Sequence, residues 1–261
     1  MASCRRTEAG PAGRWRGAVL PLLALLLAEV LLRASGLQSE GVARPSEILV
    51  AGWDSLREGH LLRATAQTLA CALAALLLGG GAGLLGGLAL GLSAGLARLA
   101  AVSVELLRNM PPVALIPIAI LVFGFGFRME IALVAFTCFW PMLLLARDAV
   151  RGVDVRLLEV ARVLGLSERD TALKIVLPAA SARIFVAFRL AAGIALIVAV
   201  TTEVAENPLG LGHRMMIAQQ ELRVAEMYAA LAWLAAIGWA LNAGLLALQQ
   251  RLFAPLRGGR G

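Results

Sequence analysis

The chain is expected to fold as an all-α polytopic membrane protein, and three observations in its sequence lead there. Hydrophobic residues make up 60% of the 261 positions and charged residues only 16%, too little polar surface for a soluble domain of this length. Apolar runs recur at the length a helix needs to cross a hydrocarbon core, about 20 residues for about 30 Å. Basic residues gather unequally in the loops between those runs, as the side facing the cytoplasm requires. The formal charge of +7 could otherwise signal nucleic acid. However, all but Lys174 of the 24 basic residues are arginine, and they flank apolar runs without forming a stripe among exposed aromatics. Membrane lipid, not nucleic acid, is the expected partner.

Six segments qualify as spans, at about 17–37, 66–97, 103–124, 129–149, 184–204 and 227–248. The first follows Arg5, Arg6, Arg14 and Arg16 and ends near Ala34-Ser35-Gly36, a pattern that also fits a cleaved signal peptide. Glu29 interrupts the run and the following loop is short, which favours a retained helix. The second span carries Gly79, Gly83, Gly87, Gly91 and Gly95, one every fourth residue, so one face lacks side chains. A neighbouring helix can approach closely there, as a packing face or as a sliding surface.

The third span holds Pro111, Pro112 and Pro117, which break the helical hydrogen-bond ladder. Irregular backbone inside a membrane is tolerated where it is buried in protein or lines a water-filled path. These prolines, with Asn109 and Met110, are therefore pathway or gate candidates; the alternative is a kink with a satisfied amide. The fourth span contains Cys138, one of three cysteines, with Cys4 and Cys71, whose spacing does not suit metal ligation. The fifth ends at Glu203 and Glu206, and carboxylates at or inside a bilayer boundary are functional candidates. Glu203 is expected to anchor a loop or stabilise a gate. His213 and Arg214, in the loop that follows, face either a partner or solvent. The sixth span leads into the C-terminal tail.

Orientation follows from the loops. With the N-terminus inside, that side holds Arg5, Arg6, Arg14, Arg16, Arg98, Arg108, the eight basic residues from Arg147 to Arg189, and Arg251, Arg257 and Arg260. The other side holds Arg33, Arg44, Arg57, Arg63, Arg128, Arg214 and Arg223, an asymmetry of 17 to 7 that places both termini in the cytoplasm. Residues 1–40 then form a cytoplasmic tail and first helix, 41–251 the main transmembrane domain, and 252–261 a cytoplasmic tail.

The long polar segment returning to the cytoplasm, about 150–182, carries the most specific pattern. Glu159, Ala161 and Gly165, then Ile175, Leu177 and Pro178, spell E-x-A-x-x-x-G-x9-I-x-L-P. Val160, Ala161, Val163 and Leu164 form a small apolar ridge, and Gly165 lets the chain turn without a side-chain clash. Two short helices around Gly165 are expected, with Pro178 breaking the second before the fifth span. Such a ridge can seat in a groove on a partner, with Glu159 setting register at the rim.

This pattern resembles the cytoplasmic signature loop of ABC-importer permeases. The segment from Leu107-Arg-Asn-Met-Pro-Pro to Phe123-Gly-Phe-Gly126, and Glu203 through Gly210-Leu-Gly212, resemble the subfamily importing aliphatic sulfonates, taurine and nitrate, from about Arg44 to Arg251. Arg108-Asn109-Met110 departs from that subfamily's commoner wording, which leaves the substrate open, thiamine-precursor pyrimidines included. The resemblance implies the type I importer permease fold, with a coupling helix between helices 4 and 5. It also implies a bacterial inner-membrane location, a second copy of the chain, cytoplasmic ATPase subunits, and a periplasmic or lipid-anchored solute-binding protein. The sequence agrees with that division of labour. A Walker A loop needs G-x-x-x-x-G-K-[ST], and Lys174 follows Thr171-Ala-Leu, so the chain supplies no P-loop and needs no cofactor of its own. A membrane-embedded enzyme would need paired catalytic groups, and no Ser/His pair, HExxH or DxxD falls in an apolar run. A scaffold without transport would leave the signature pattern unexplained.

Overall fold

A computed structural model describes residues 11–34 and 41–253, without the side chains of 11–18, 21 and 22. Arg5, Arg6 and Cys4 of the N-terminal tail, Ser35 and Gly36 of the signal-peptide-like run, and residues 254–261 of the C-terminal tail lie outside the described residues.

Helix α1, Pro11–Ala34, carries the first apolar run. Helix α2, Pro45–Arg57, starts on a proline, whose missing N–H costs nothing in the first turn. The Glu47 carboxylate accepts from the Arg44 N–H at 3.0 Å. Glu29, the charge that interrupts α1, accepts from the Ser46 N–H at 3.1 Å and its hydroxyl at 2.8 Å, so it fastens α1 to the start of α2.

The central helices are α3, His60–Leu92; α6, Phe127–Arg151; and α8, Glu168–Ala205. Their core is built largely from small side chains: Ala72 and Ala75 of α3, Val134 and Cys138 of α6, and Ala191, Ala195 and Ala199 of α8. Small residues let backbones approach, which is how helices associate in lipid without a hydrophobic drive between them. Helices α4, Ala94–Arg108, and α5, Pro112–Phe123, are bent by 85° at the break between them. The expected third span, 103–124, is thus two helices. The chain leaves the helical path at Asn109 to Pro111, because Pro111 and Pro112 remove two donors in succession. Ile116 and Ala119 of α5 pack on Met129 and Leu133 of α6.

Short helix α7, Val155–Val163, follows α6, and α9, Gly210–Gln220, follows α8. Helix α10, Val224–Phe253, lies on the outside, with Ala230 joining Leu61, Ala64 and Leu211. Among the described residues four helices, α3, α6, α8 and α10, are long and apolar enough to cross a bilayer, or five if α4 and α5 form one span.

The expectation that Pro178 ends a separate loop helix is corrected. The helix begun at Glu168 runs on to Ala205. A π-helical turn, Ala172–Val176, precedes Pro178 and widens the backbone where the ring would meet the preceding turn, so the proline is absorbed.

Candidate functional site: the coupling loop and the buried polar cluster

Helix α7 is set by two local signals. The Asp154 carboxylate accepts from the Arg156 N–H at 3.0 Å at its start. At its end Gly165 adopts φ +63°, with bonds from Gly165 N–H to the Arg162 carbonyl and from Leu166 N–H to the Ala161 carbonyl, both 3.0 Å. That pair of bonds is a Schellman turn, and its left-handed residue favours glycine.

The expected ridge divides into two faces. Val160, Val163 and Leu164 are exposed, Val163 to 87%, whereas Ala161 is buried at 1% and forms no part of the outward ridge. Facing inward, Ala161 lets α7 lie close to the turn at Ala172–Val176. Val153 and Leu158 pack on a cluster of Ala149 and Val150 from α6 with Val176 and Ala180 from α8. Glu159 is exposed and makes no ion pair among the described residues. Ile175 and Leu177 are half-buried and Pro178 is exposed.

Two arginines tie the loop to the spans. Arg151 donates to the Leu90 carbonyl at the end of α3 at 3.1 Å, and Arg183 donates to the Gly152 carbonyl after α6 at 2.7 Å. Each cation meets carbonyls that a helix C-terminus leaves unpaired. The loop is therefore braced against α3, α6 and α8, while its apolar ridge faces outward.

The glycine strip meets α6 so closely that no Cβ fits. A Cβ at Gly79, Gly83 or Gly87 would collide with the backbone carbonyl of Ala135, Phe139 or Leu143, and one at Gly91 would sit 2.7 Å from the Val150 Cβ. Gly95 stands apart from this strip. The helix ends at Leu92, Ser93 takes an extended conformation and caps α4, and only the Ser93 hydroxyl, 4.0 Å away, lies near a Cβ at Gly95. Asn109 caps α4 and donates to the Glu105 carbonyl at 2.7 Å. Asn109, Met110, Pro111 and Pro117 are exposed at or near the 85° bend, and Pro112 is half-buried.

At the opposite end of the bundle Glu203 is 1% exposed. It accepts the Thr68 hydroxyl at 2.7 Å and the Gly212 N–H at 2.8 Å. Thr68 in turn accepts the Leu211 N–H at 3.0 Å, and Gln67 accepts the Gly210 N–H at 3.2 Å. The N-terminus of α9 is thus held by side chains of α3 and α8. Gly210 and Gly212 are required by this contact, since a Cβ on either would run into Glu203. Beside it, Asn207 donates to the carboxyl of Glu130, and both residues are 1% exposed. Glu206 is exposed and lines, with Glu203, Asn207 and His213, an open cavity of about 320 Å³.

Glu130, Thr68, Gln67 and Asn207 escaped the sequence reading. Glu130 offers a signal, a carboxylate one residue inside an apolar run, but the run's edge made it look solvated. Thr68 and Gln67 are ordinary in sequence, and only folding brings them 135 or more positions along the chain to Glu203 and Gly210.

A multi-helix membrane bundle with a braced, outward-facing helical loop defines the class, and solved structures share the fold. The structure titled "Inward facing conformations of the MetNI methionine ABC transporter" superposes with a TM-score of 0.67 at 18% identity, over 73% of this chain and 95% of that one. An amino acid ABC transporter crystallised with histidines gives 0.62 at 19%, over 77% and 96%. The family described as binding-protein-dependent transport system inner membrane component matches residues 75–257, and the chain belongs to it. The chain is therefore a permease component of an ABC importer.

A putative aliphatic sulfonates transport permease protein SsuC of Bacillus subtilis is 29% identical over 92% of this chain and 87% of that protein. The taurine transport system permease protein TauC of Escherichia coli is 31% identical over 64% and 60%. The nitrate import permease protein NrtB of Leptolyngbya laminosa is 30% identical over 53% of this chain and half of that protein.

Proposed function

We propose that the chain imports a small anionic solute of the sulfonate, taurine or nitrate type by alternating access. It works as a homodimer carrying two cytoplasmic ATPase subunits and receiving solute from a separate binding protein. The observation that carries the reading is the ridge of Val160, Val163 and Leu164, apolar and exposed on a helix whose other face packs through Leu158 on α6 and α8. Closure of the ATPase dimer would draw two such helices together. The Arg151 and Arg183 ties would pass that movement to α3, α6 and α8 as rigid bodies. If α1 is counted as a first span beside α4–α5 and the four long apolar helices, the chain crosses six times, and the basic loops then favour both termini and α7 in the cytoplasm. The relatives named for sulfonates, taurine and nitrate support the substrate class. Bicarbonate, carried in the name of another relative, belongs to the same class of small anions.

Val163→Asp tests the docking surface. The side chain is 87% exposed, so loss of it from a solvated loop would shift stability by about 0.5 kcal/mol or less. In a partner groove the buried charge has no counter-ion, and docking fails. The expected outcome is normal membrane accumulation, loss of ATPase association, and uptake in reconstituted vesicles reduced about tenfold or more. Unchanged uptake with the ATPase still bound would rule out α7 as the docking helix. Uptake competition among taurine, nitrate and bicarbonate, with the cognate binding protein present, then tests the substrate class.

A further inference from the structure

Between α8 and α10 a groove of about 480 Å³ opens on the side of the bundle. Its walls are Leu190, Ile194 and Ile197 of α8 and Leu241 and Leu245 of α10, all apolar and none of them fully buried. Gly193 leaves the slot open, since a Cβ there would have no atom within 4 Å. From Val186 to Ile197 the lining covers about 16 Å of helix, roughly one leaflet of hydrocarbon.

One end of the groove carries a charge. Arg189, half-buried in the wall, lies about two turns along α8 from Arg183, whose bond to the Gly152 carbonyl marks the end that holds the coupling loop. Its hydrogen bond among the described residues goes to the Gln249 Oε1 at 3.3 Å, and no carboxylate among them pairs with it. The lining holds no acidic residue, and its other polar side chain is the exposed amide of Asn242. A guanidinium at membrane depth needs a counter-charge, and most of the N–H groups of Arg189 are left without an acceptor. An anion with a long apolar body satisfies both parts of the site. Its head meets the guanidinium, bidentately for a phosphate, and its chain covers the leucines and isoleucines.

We propose that this groove holds an anionic glycerophospholipid of the adjoining leaflet, its phosphate on Arg189 and one acyl chain along the apolar walls. The charge selects the occupant: a lipid supplies a phosphate at this depth, whereas a small solute anion leaves the walls uncovered and an apolar helix of a second copy leaves Arg189 unpaired. Assignment to the inner leaflet rests on the orientation proposed above; the lipid site does not.

Photo-crosslinking of the full-length chain in phosphatidylcholine nanodiscs tests the site. The probe is a trace of phosphatidylglycerol carrying a diazirine on one acyl chain, with adducts mapped by peptide mass. Adducts are expected on residues 186–197 and 238–245, about fivefold or more above those from phosphatidylcholine with the same diazirine. Arg189→Gln should bring phosphatidylglycerol down to the phosphatidylcholine level, and Arg189→Lys should keep most of the preference. Gly193→Leu, which fills the slot, should remove the adducts of both lipids. Equal labelling by the two lipids in the native protein, the mark of an ordinary lipid annulus, overturns the proposal, as does a preference that survives Arg189→Gln. An unlabelled groove, as a helix of a second copy seated there would give, overturns it too, and so does labelling that taurine or nitrate displaces. If Arg189→Gln does not accumulate, the two-lipid comparison in the native protein and the Gly193→Leu variant decide alone. Uptake is no part of this readout, so a failure of the transport reading leaves the lipid site standing.

Discussion

Gly87 lies where α3 meets α6, and its missing side chain sets how near the two backbones come. A methyl group there would strike the Leu143 carbonyl and approach the Ala146 Cβ to 2.8 Å, so the two helices would have to part. Gly87→Ala is expected to cost about 1–3 kcal/mol, the range for an overfilled contact. Gly95→Ala, with open space around it, should be neutral or slightly stabilising, since alanine is the better helix former. Thermal unfolding of the two variants in detergent, followed by tryptophan fluorescence, separates them, and equal losses would show that the strip continues past Ser93. The four-residue spacing of the glycines was legible in the sequence; where the strip stops was not, because the extended turn at Ser93 has no strong composition signal. The motif places a turn at Gly165, and its φ of +63° is what that turn demands. Ala161 faces in although the pattern puts it on the outer ridge, since a nine-residue helix gives too few residues to fix which small side chain faces in.

A helix proposed to couple the ATPase to the spans would transmit force only if it is held at its base, and at the scale of elements the holds are arginines on helix ends. Arg151 reaches from the end of α6 to the Leu90 carbonyl of α3. Replacing it with methionine keeps most of the apolar stem and removes the bond, at an expected cost of about 1–2 kcal/mol. The larger effect should be on coupling. Arg151→Met is expected to hydrolyse more ATP per solute imported than the native protein, measured in vesicles with both partners present. An unchanged ratio would mean that the tie to α3 carries no movement. From the sequence these arginines counted only toward orientation, for their partners are carbonyls on distant helices. The same limit governs Pro178. A proline after a polar loop reads as a break, and the π turn that absorbs it arises from how the surrounding helix packs.

For the whole molecule, the testable statement is its direction in the bilayer. A reporter active only in the cytoplasm should work when fused after Arg251 and fail when fused after Asn207, because the basic loops hold one end inside. Cytoplasmic activity at both sites would remove α10 as a span, and activity after Asn207 alone would invert the bundle.

The class and the position of the long apolar spans were determined by the sequence alone, because each rests on local quantities: the length of an apolar run and the charge beside it. The burial of Glu130 and Glu203, the inward face of Ala161 and the end of the glycine strip were decided by tertiary structure. Each depends on which groups from separate helices share the same few ångströms. Burial, hydrogen-bond partners and close backbone approach exist only once the helices are assembled.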